Sequence, residues 1–376
     1  MIEWFAGLDA RTVRVLYELY GRGPLTKRVL RESLNLKLTT LNRTMELLEE
    51  RGLVVPLGEA ESTGGRRAAL YDLAHRGLYL IGADLSRTYV RLVLTNLKLS
   101  VLQSERFWMD GSCSPEKTAD EMAAAVGRML GRQGIAVSQV LAAGIGTVGP
   151  MDRERGILLS PQGFFSPDWG MVPLKELLER RLSIPCVLDN GANSAVLAEY
   201  RFGAARGLRS AAYIHCGAGI RSAVLRDGEV IRTLNNREDA FGHMLVRLTE
   251  TGETGSIESL SAMGAVFSGG GVRSWPKSER HSDGWDQVRT GAELFGIGLS
   301  NFVRLLSPQL VILGGPLMMN LEEYYRLCLE AFHRYDPGEG TIRFSRGGLL
   351  GENSIAVGSA AMALEENLRA AGKNFV

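Results

Sequence analysis

One pattern, present twice, restricts the fold of this chain more than any other feature. Apolar segments at 78–84, 89–95 and 100–107 follow one another with only tight turns between them, and they read as three consecutive strands. The same meander returns at 211–216, 220–225 and 229–233, with Asp227 and Gly228 as a hairpin turn. Helical and strand segments follow each meander, which makes two degenerate copies of a strand-strand-strand-helix-strand unit. Two copies of an α/β unit predict two similar lobes facing each other across a cleft. The polar, Gly-rich stretch 268–283 is expected to be a surface loop.

Residues 1–74 obey a different pattern. Val13, Leu16, Leu19 and Tyr20 recur at helical spacing, and Gly21, Gly23 and Pro24 end that helix. Thr26 is placed to cap a second helix over 27–34, and a short turn leads to a third over 38–51. In the third helix Leu38, Leu41, Met45 and Leu48 form the expected buried stripe. Thr39, Thr40, Asn42 and Arg43 lie opposite it in the first turns, and the acids Glu46, Glu49 and Glu50 come later. Gly52 stops the helix, 53–57 reads as a strand, 62–67 as a Gly-rich turn and 69–73 as a returning strand. Three helices and a two-stranded wing predict a winged helix-turn-helix.

Charge supports double-stranded DNA as the partner of that unit. From Arg22 to Arg43 the cations Arg22, Lys27, Arg28, Arg31, Lys37 and Arg43 face the single acid Glu32, whereas the whole chain has a formal net charge of +1. Basic charge is therefore local to one face, as binding to phosphate requires. Thr39, Thr40, Asn42 and Arg43 are the expected readers of base edges. Lys37 supports them, and Arg66 and Arg67 at the wing tip suit the minor groove or phosphate. A three-helix protein-interaction module with a solvated basic face is the alternative.

Composition sets the remaining limits. A chain of 376 residues suits two or three domains. A hydrophobic fraction of 45% with 23% charged residues is that of a soluble globular protein. No stretch approaches the roughly 20 apolar residues that span a bilayer. The start, MIEWFAGLDARTVRVLYELY, has acids and a helical period, so no signal peptide is expected. Cys113, Cys186, Cys216 and Cys328 lie far apart without C-x-x-C pairing, which disfavours both a disulfide framework and a cysteine zinc site. A cytoplasmic protein is the expectation.

The segments IGADLSRTYVRLVLTNL, GIGTVGPMD, WGMVPLKELLERRLSIPCVLDNGANSAVLAEYRFGAARG, GAGIRSAVLRDGEVI, FGHM, GSIESLSA and FGIGLSNFVRLLSPQLVILGGPLM occur in that order. From 78 to about 364 the chain thereby resembles the ROK family, which comprises sugar-responsive repressors, uncharacterised reading frames and sugar kinases. TTLNRTMELLEERGLV and the GGRR wing are similar to the DNA-binding domain of the repressor branch. The resemblance implies an α/β chain: a winged helix at 1–74, then a two-lobed domain of the actin, Hsp70 and sugar-kinase type (ribonuclease H-like). Its first lobe is expected over 75–190, completed by a C-terminal helix at 355–376, and its second over 191–354.

Position by position, the kinase chemistry implied by the family is damaged. A kinase needs a carboxylate to take the acceptor hydroxyl's proton, and the family's N-D-A-N motif reads Asn190, Gly191, Ala192, Asn193. Asp189 replaces the missing base only if the backbone shifts register. The phosphate loop D-x-G-G-T appears as Asp84, Leu85, Ser86, Arg87, Thr88, and the second loop as Gly217, Ala218, Gly219, Ile220, Arg221. Bulk thus fills places where bare backbone must approach phosphate. Asp84, Thr88, Gly217, Gly219, Gly314 and Gly315 are read as vestiges of nucleotide loops. The family's three zinc thiolates are missing as well: His243 persists, but Ser256 stands at the last cysteine position, so neither metal nor cofactor is expected.

Asn190, His243 and Glu258 keep family sugar-contacting positions, although Ala240 stands where the family has a further Glu. These features imply a sugar-responsive transcriptional regulator, a repressor of carbohydrate-metabolism genes. Its effector is a sugar or sugar phosphate held by an inactive kinase-like domain. The protein is expected to act as a homodimer or larger homo-oligomer on an inverted repeat, away from membranes. An ATP-dependent ROK sugar kinase is the alternative, and a regulator controlled by a protein partner is a third reading.

Overall fold

The first three helices form where the capping chemistry puts them. In the computed structural model, which describes residues 3–5, 7–59, 68–233, 238, 240–248, 254–263, 284–335 and 342–373, helix α1 spans Ala10–Arg22. The Asp9 carboxylate accepts from Thr12 N at 2.7 Å to open it, and Gly23 closes it at φ 83°. Strand β1 (Leu25–Thr26) leads into α2 (Lys27–Leu34), whose first turn is capped by Thr26. Asn35 in the left-handed region turns the chain into α3 (Leu38–Glu50). Strands β2 (Val54–Glu59) and β3 (Ala69–Leu73) complete a sheet of order β1-β3-β2. Three helices and a wing are present. Arg66 and Arg67 lie outside the described residues.

One expectation for α3 needs correction. The buried stripe consists of Leu41, Thr44, Met45 and Leu48, while Leu38 is 51% exposed. Leu38 is the first residue of the helix, in a turn that extends past the core filled by Leu16, Leu19, Leu30 and Leu34.

The duplicated pattern becomes two sheets of one plan. The first lobe has β4 (Tyr79–Leu85), β5 (Tyr89–Asn96), β6 (Val101–Trp108), α4 (Pro115–Gln133), β7 (Val140–Thr147) and a short ribbon of β8 (Met151–Asp152) with β9 (Ile157–Leu158). Helix α5 (Leu174–Leu182) and β10 (Cys186–Asn190) close it. The second has α6 (Gly191–Phe202), β11 (Ser210–Cys216), β12 (Ile220–Arg226), β13 (Glu229–Ile231), a ribbon of β14 (Leu245–Leu248) with β15 (Thr254–Ser256), and α7 (Ile257–Ser261). Then come α8 (Gly284–Leu306), β16 (Leu310–Gly314), α9 (Pro316–Asn320), α10 (Glu322–Tyr335) and β17 (Arg343–Arg346), after which α11 (Ser354–Lys373) returns to the strands of the first lobe. Sheet orders are β10-β7-β4-β5-β6 and β13-β12-β11-β16-β17, with an antiparallel meander on one side and parallel strands on the other in both. The loop expected at 268–283 lies outside the described residues. Among the described residues no helix is long and apolar enough to cross a membrane.

Alternation along β4 divides its side chains between two cores. Ile81, Ala83 and Leu85 join the core under α4 and α5, while Leu80 joins the core that holds α11. Helix α11 lies against β4 and β7 at backbone distance, because a Cβ at Gly82 or Gly144 would run into the carbonyls of Ala356 and Ser359. Gly358 does the same for the approach of α11 to Ser194 of α6. The far end of α11 holds the winged helix: Tyr17 Oη donates to Glu365 O at 3.0 Å, and Leu368 and Ala371 share a core with Val13 and Leu16. Arg201 of α6 pairs with Glu365 at 2.8 Å and lies 5.8 Å from the Tyr20 ring centroid.

Gly144→Ala is therefore expected to lower stability by about 1–3 kcal/mol, the usual scale of overpacking. Gly127→Ala, exposed in α4 where an added methyl meets nothing within 4 Å, serves as the control; it is expected to raise stability by ~0.5–1 kcal/mol. Thermal melting by circular dichroism checks both, and equal melting points would contradict the packing of α11.

Candidate ligand cleft and DNA-facing surface

The ends of β4 and β11 meet across a cleft of about 370 Å³, lined among others by Asp84, Thr88, His215 and Gly315. Asp84 is buried; its Oδ2 accepts from Tyr89 Oη at 2.7 Å and its Oδ1 has no partner among the described residues. Burial raises the Asp84 carboxyl above its ordinary range, against the pull of Arg221. His215 is buried with Nδ1 unpartnered, and burial, then Arg221 and Arg87, hold it well below the usual histidine range. Gly314 and Gly315 are required by packing: a Cβ at Gly314 would strike Tyr213 Oη, and one at Gly315, whose φ is +89°, would lie 2.5 Å from Cys216 O. Gly217 N donates to Gly219 O at 3.0 Å in the turn after β11.

Two arginines, Arg87 and Arg221, reach between the two lobes. Arg87 leaves the β4–β5 turn and pairs with Glu258 at 3.5 Å, lying so close over Gly219 that any Cβ there would clash with its guanidinium. Glu258 also accepts from Ile220 N at 2.6 Å. Arg221 of β12 is fully enclosed and donates from Nη1 to Thr147 O at 3.0 Å. A Cβ at Gly191 would lie 3.0 Å from that same Nη1. A side chain at 191 would therefore crowd the Arg221 guanidinium and Ile355.

Asp189 is fully engaged. It accepts from Asn190 N at 2.7 Å, Asn193 Nδ2 at 2.8 Å and Arg232 Nη2 at 2.9 Å, and Arg153 Nε stands 3.0 Å away. In strand β10 Asp189 pairs in regular register opposite Gly146.

The expected sugar contacts are distributed as follows. Asn190 is buried and its Oδ1 accepts from Ala192 N at 3.0 Å, capping α6. His243 is exposed, on a segment joined to that of Glu258 by the bond from Glu258 N to Gly242 O at 2.8 Å. Sequence reasoning missed Glu238, a buried carboxylate that accepts from Asn193 Nδ2 at 2.9 Å, keeps Oε2 unpartnered, and is raised by burial. No periodicity in the sequence marks it. Ser256, at the lost cysteine position, caps α7 by accepting from Ser259 N at 3.1 Å. The residues present do not fit the family's zinc ion, and among the described residues no group of three or more His, Cys, Asp or Glu side chains suits a metal.

On α3 the outward surface carries Lys37 at the N-cap, then Thr39 and Arg43 exposed, with Thr40 and Asn42 half-buried beside them. Arg28 and Arg31 of α2 are also described, and Arg31 is exposed next to Glu32 at 4.0 Å.

The ROK family profile matches residues 80–366, more than half of the chain. The chain belongs to the ROK family. A MarR family profile matches residues 6–68, the segment of the winged helix. The chain is 23% identical to the xylose repressor of Bacillus spizizenii over 375 residues, covering 94% of each protein. Among solved structures, the ROK hexokinase of Thermus thermophilus is 27% identical with a TM-score of 0.61, covering 77% of this chain and 99% of that one. A ROK family transcriptional regulator described as a homologue of the E. coli MLC protein shares the fold over 96% of this chain and 97% of its own length, at TM-score 0.71 and 16% identity. The hexokinase match thus covers a share of the chain that the regulator match exceeds.

The neutral state of His215 has a pH consequence. Below its ordinary value of 6.5 the unfolded chain binds a proton that the folded chain refuses. Stability from this group is present above 6.5 and is lost as pH falls, by at most about 1.4 kcal/mol per pH unit, until the folded-state pKa is reached. Urea unfolding at neutral and mildly acidic pH is expected to show that slope reduced in His215→Asn. An unchanged slope would exclude the assignment.

Proposed function

We propose that this ROK protein is a sugar-responsive, DNA-binding transcriptional repressor whose kinase-like part senses a ligand and transfers no phosphate. The observation that carries the reading is the winged helix, with a polar, solvent-facing α3, fixed by α1 to the last helix of the two-lobed domain. The full-length similarity to a protein named xylose repressor supports it. Residues 1–74 are the DNA-binding unit, 75–190 with 355–376 the first lobe and 191–354 the second. The protein works in the cytoplasm as a homodimer or larger homo-oligomer on an inverted repeat, because one short recognition helix makes too few contacts for specificity.

Lys37, Thr39, Thr40, Asn42 and Arg43 are the proposed DNA contacts in the major groove, with Arg66 and Arg67 from the wing. Asn190, His243 and Glu258 are the proposed sugar contacts. Arg87 pairs with the Glu258 carboxylate at 3.5 Å, so sugar hydroxyls compete with a guanidinium for it. A ligand moves the DNA-binding equilibrium only through unequal affinity for the two conformations. Breaking an ion pair that joins the lobes supplies that inequality.

Transfer chemistry is disfavoured at two separate steps. Gly191 has no carboxylate to act as the base, whose loss is worth roughly 10²–10⁴-fold in rate, and Arg87 lies close over Gly219. A coupled ATP-consumption assay over common hexoses, pentoses and amino sugars is expected to show no turnover above background, in the natural chain and in Gly191→Asp. Phosphorylation lost in Asp189→Asn would instead identify Asp189 as the base and favour a kinase.

Selection of bound DNA from a random library, with and without sugars, tests the regulator directly. Arg43→Ala is expected to weaken specific binding by about 1–3 kcal/mol, and intact specific binding in Asn42→Ala, Arg43→Ala would remove α3 as the reader. Glu258→Ala is expected to lower sugar affinity in calorimetry while ligand-free DNA binding stays nearly unchanged. Unaltered sugar affinity in that variant would move the effector elsewhere.

A further inference from the structure

A polar cavity of about 470 Å³ lies where three units of the chain meet, apart from the cleft that holds Asp84 and His215. Tyr17 of α1 brings in the winged helix, and Arg153, just after β8, brings in the first lobe. Arg201 of α6 and Arg232, just after β13, come from the second lobe. Glu365 and Arg369 of α11 complete the wall. A space of this volume suits a small metabolite.

The guanidiniums around it are only partly engaged. Arg153 and Arg232 converge on a single oxygen of Asp189, at 3.0 and 2.9 Å, and Asp189 does not itself line the cavity. Arg201 gives Nε to Glu365 at 2.8 Å, and its Nη groups make no hydrogen bond among the described residues. Arg369 is exposed and has neither an ion pair nor a side-chain hydrogen bond among them. Burial, then Glu365, raises the Tyr17 phenol above its ordinary range, and Arg369 and Arg201 oppose that rise, so both cations stand near its hydroxyl.

The donor inventory decides the class of ligand. The lining has four arginines against Glu229, Glu365 and Glu366, and Asp189 behind it cancels the excess cation. Net charge is therefore near zero, and attraction comes from aimed N–H groups. A guanidinium donates in a fixed fork and accepts nothing, so the missing partner must bring acceptor oxygens, two to a fork. Hydroxyl donors of a neutral polyol would find Glu365 and Glu366 already facing arginines, at 2.8 and 3.4 Å.

We propose that this cavity is a second ligand site, separate from the Glu258 site, for a small metabolite bearing a phosphate or carboxylate group. The oxyanion bridges Arg369 and the free Nη groups of Arg201. Tyr17 forms one wall, so the site is complete only while the winged helix rests on α11, and a bound anion stabilises that arrangement. It also draws on Arg201, whose partner Glu365 carries the hydrogen bond from Tyr17. The ligand thereby acts on DNA binding without passing through Glu258. That last step rests on the regulator reading, and the site itself does not.

Calorimetry on the full chain in about 0.15 M salt, where diffuse attraction between charges is screened, tests the site with inorganic phosphate, glycerol 3-phosphate, citrate and glycerol. At least one of the three oxyanions is expected to bind with a dissociation constant below about 1 mM, and citrate against the two phosphates separates a carboxylate from a phosphate. Glycerol is expected to stay silent. The affinity is expected to fall roughly tenfold or more in Arg369→Ala, and to fall in Arg201→Lys, which keeps the charge and loses the fork. Arg369 is exposed and unpaired among the described residues, so its variant keeps a folded chain, and an unchanged melting point verifies this. Silence of all three oxyanions would overturn the proposal, as would glycerol binding as tightly as glycerol 3-phosphate or full affinity in Arg369→Ala. An oxyanion lost in Glu258→Ala and kept in Arg369→Ala would belong to the effector site and refute the second one. On selected DNA, the bound oxyanion is expected to change specific affinity roughly fivefold or more in the natural chain and not in Arg369→Ala. Specific binding unmoved by it would refute the coupling to the winged helix. Absence of any specific DNA binding would refute the regulator and leave the calorimetric site standing.

Discussion

Helix α11 lies directly on the backbone of β4 and β7, and the other arrangements in the molecule follow from that contact. The glycines at 82 and 144 remove the side chains that would hold the helix off, so it reaches the strands whose ends form the cleft. The same helix touches α6 through Gly358 and carries the winged helix on its last turns. Interiors packed this densely transmit displacement instead of absorbing it. A rigid rod that touches both lobes and the DNA-binding unit gives a mechanical reason for these units to share one chain.

The cleft shows correlated changes. Gly191 leaves room for Arg221, and Gly219, a glycine retained from the second loop, leaves room for Arg87. The two arginines run in opposite senses between the lobes: Arg87 from the first to Glu258 of the second, Arg221 from the second to Thr147 of the first. Asp189 adds a third link, held by Arg153 of one lobe and Arg232 of the other. Removing one partner of a buried pair costs far more than the pair contributes to stability. These polar contacts tie the two lobes together.

Much of this was legible in the sequence, and the gaps have physical causes. The two meanders and the winged helix come from local alternation and capping, which depend on neighbouring residues. The polarity of α3 was legible for the same reason, but the exposure of Leu38 was not, because helical period says which face is apolar and not where the core ends. Ser86, Arg87 and Arg221 were visible as bulk in phosphate loops. Their destinations were not, since the partners Glu258, Thr147 and Gly191 belong to distant segments brought together by the tertiary fold. The engagement of Asp189 by Arg153 and Arg232, and the buried Glu238 beside Asn193, have no signature in sequence spacing at all.

The exchange at Gly191 and Arg221 also has a historical side. Restoring a carboxylate at 191 while Arg221 remains would press it against a guanidinium, which would hold it as an ion-pair partner instead of a proton acceptor. Removing Arg221 first would open a void and leave the Thr147 carbonyl without its donor. Each replacement made alone therefore carries a packing or hydrogen-bond cost. Return to phosphate transfer from this chain then requires changes at both positions, and the bulk of Ser86 and Arg87 in the first loop remains a separate obstacle. Relatives with glycine at the first position are then expected to carry a large cation at the second, which makes the pair a marker for sorting family members that sense from those that react.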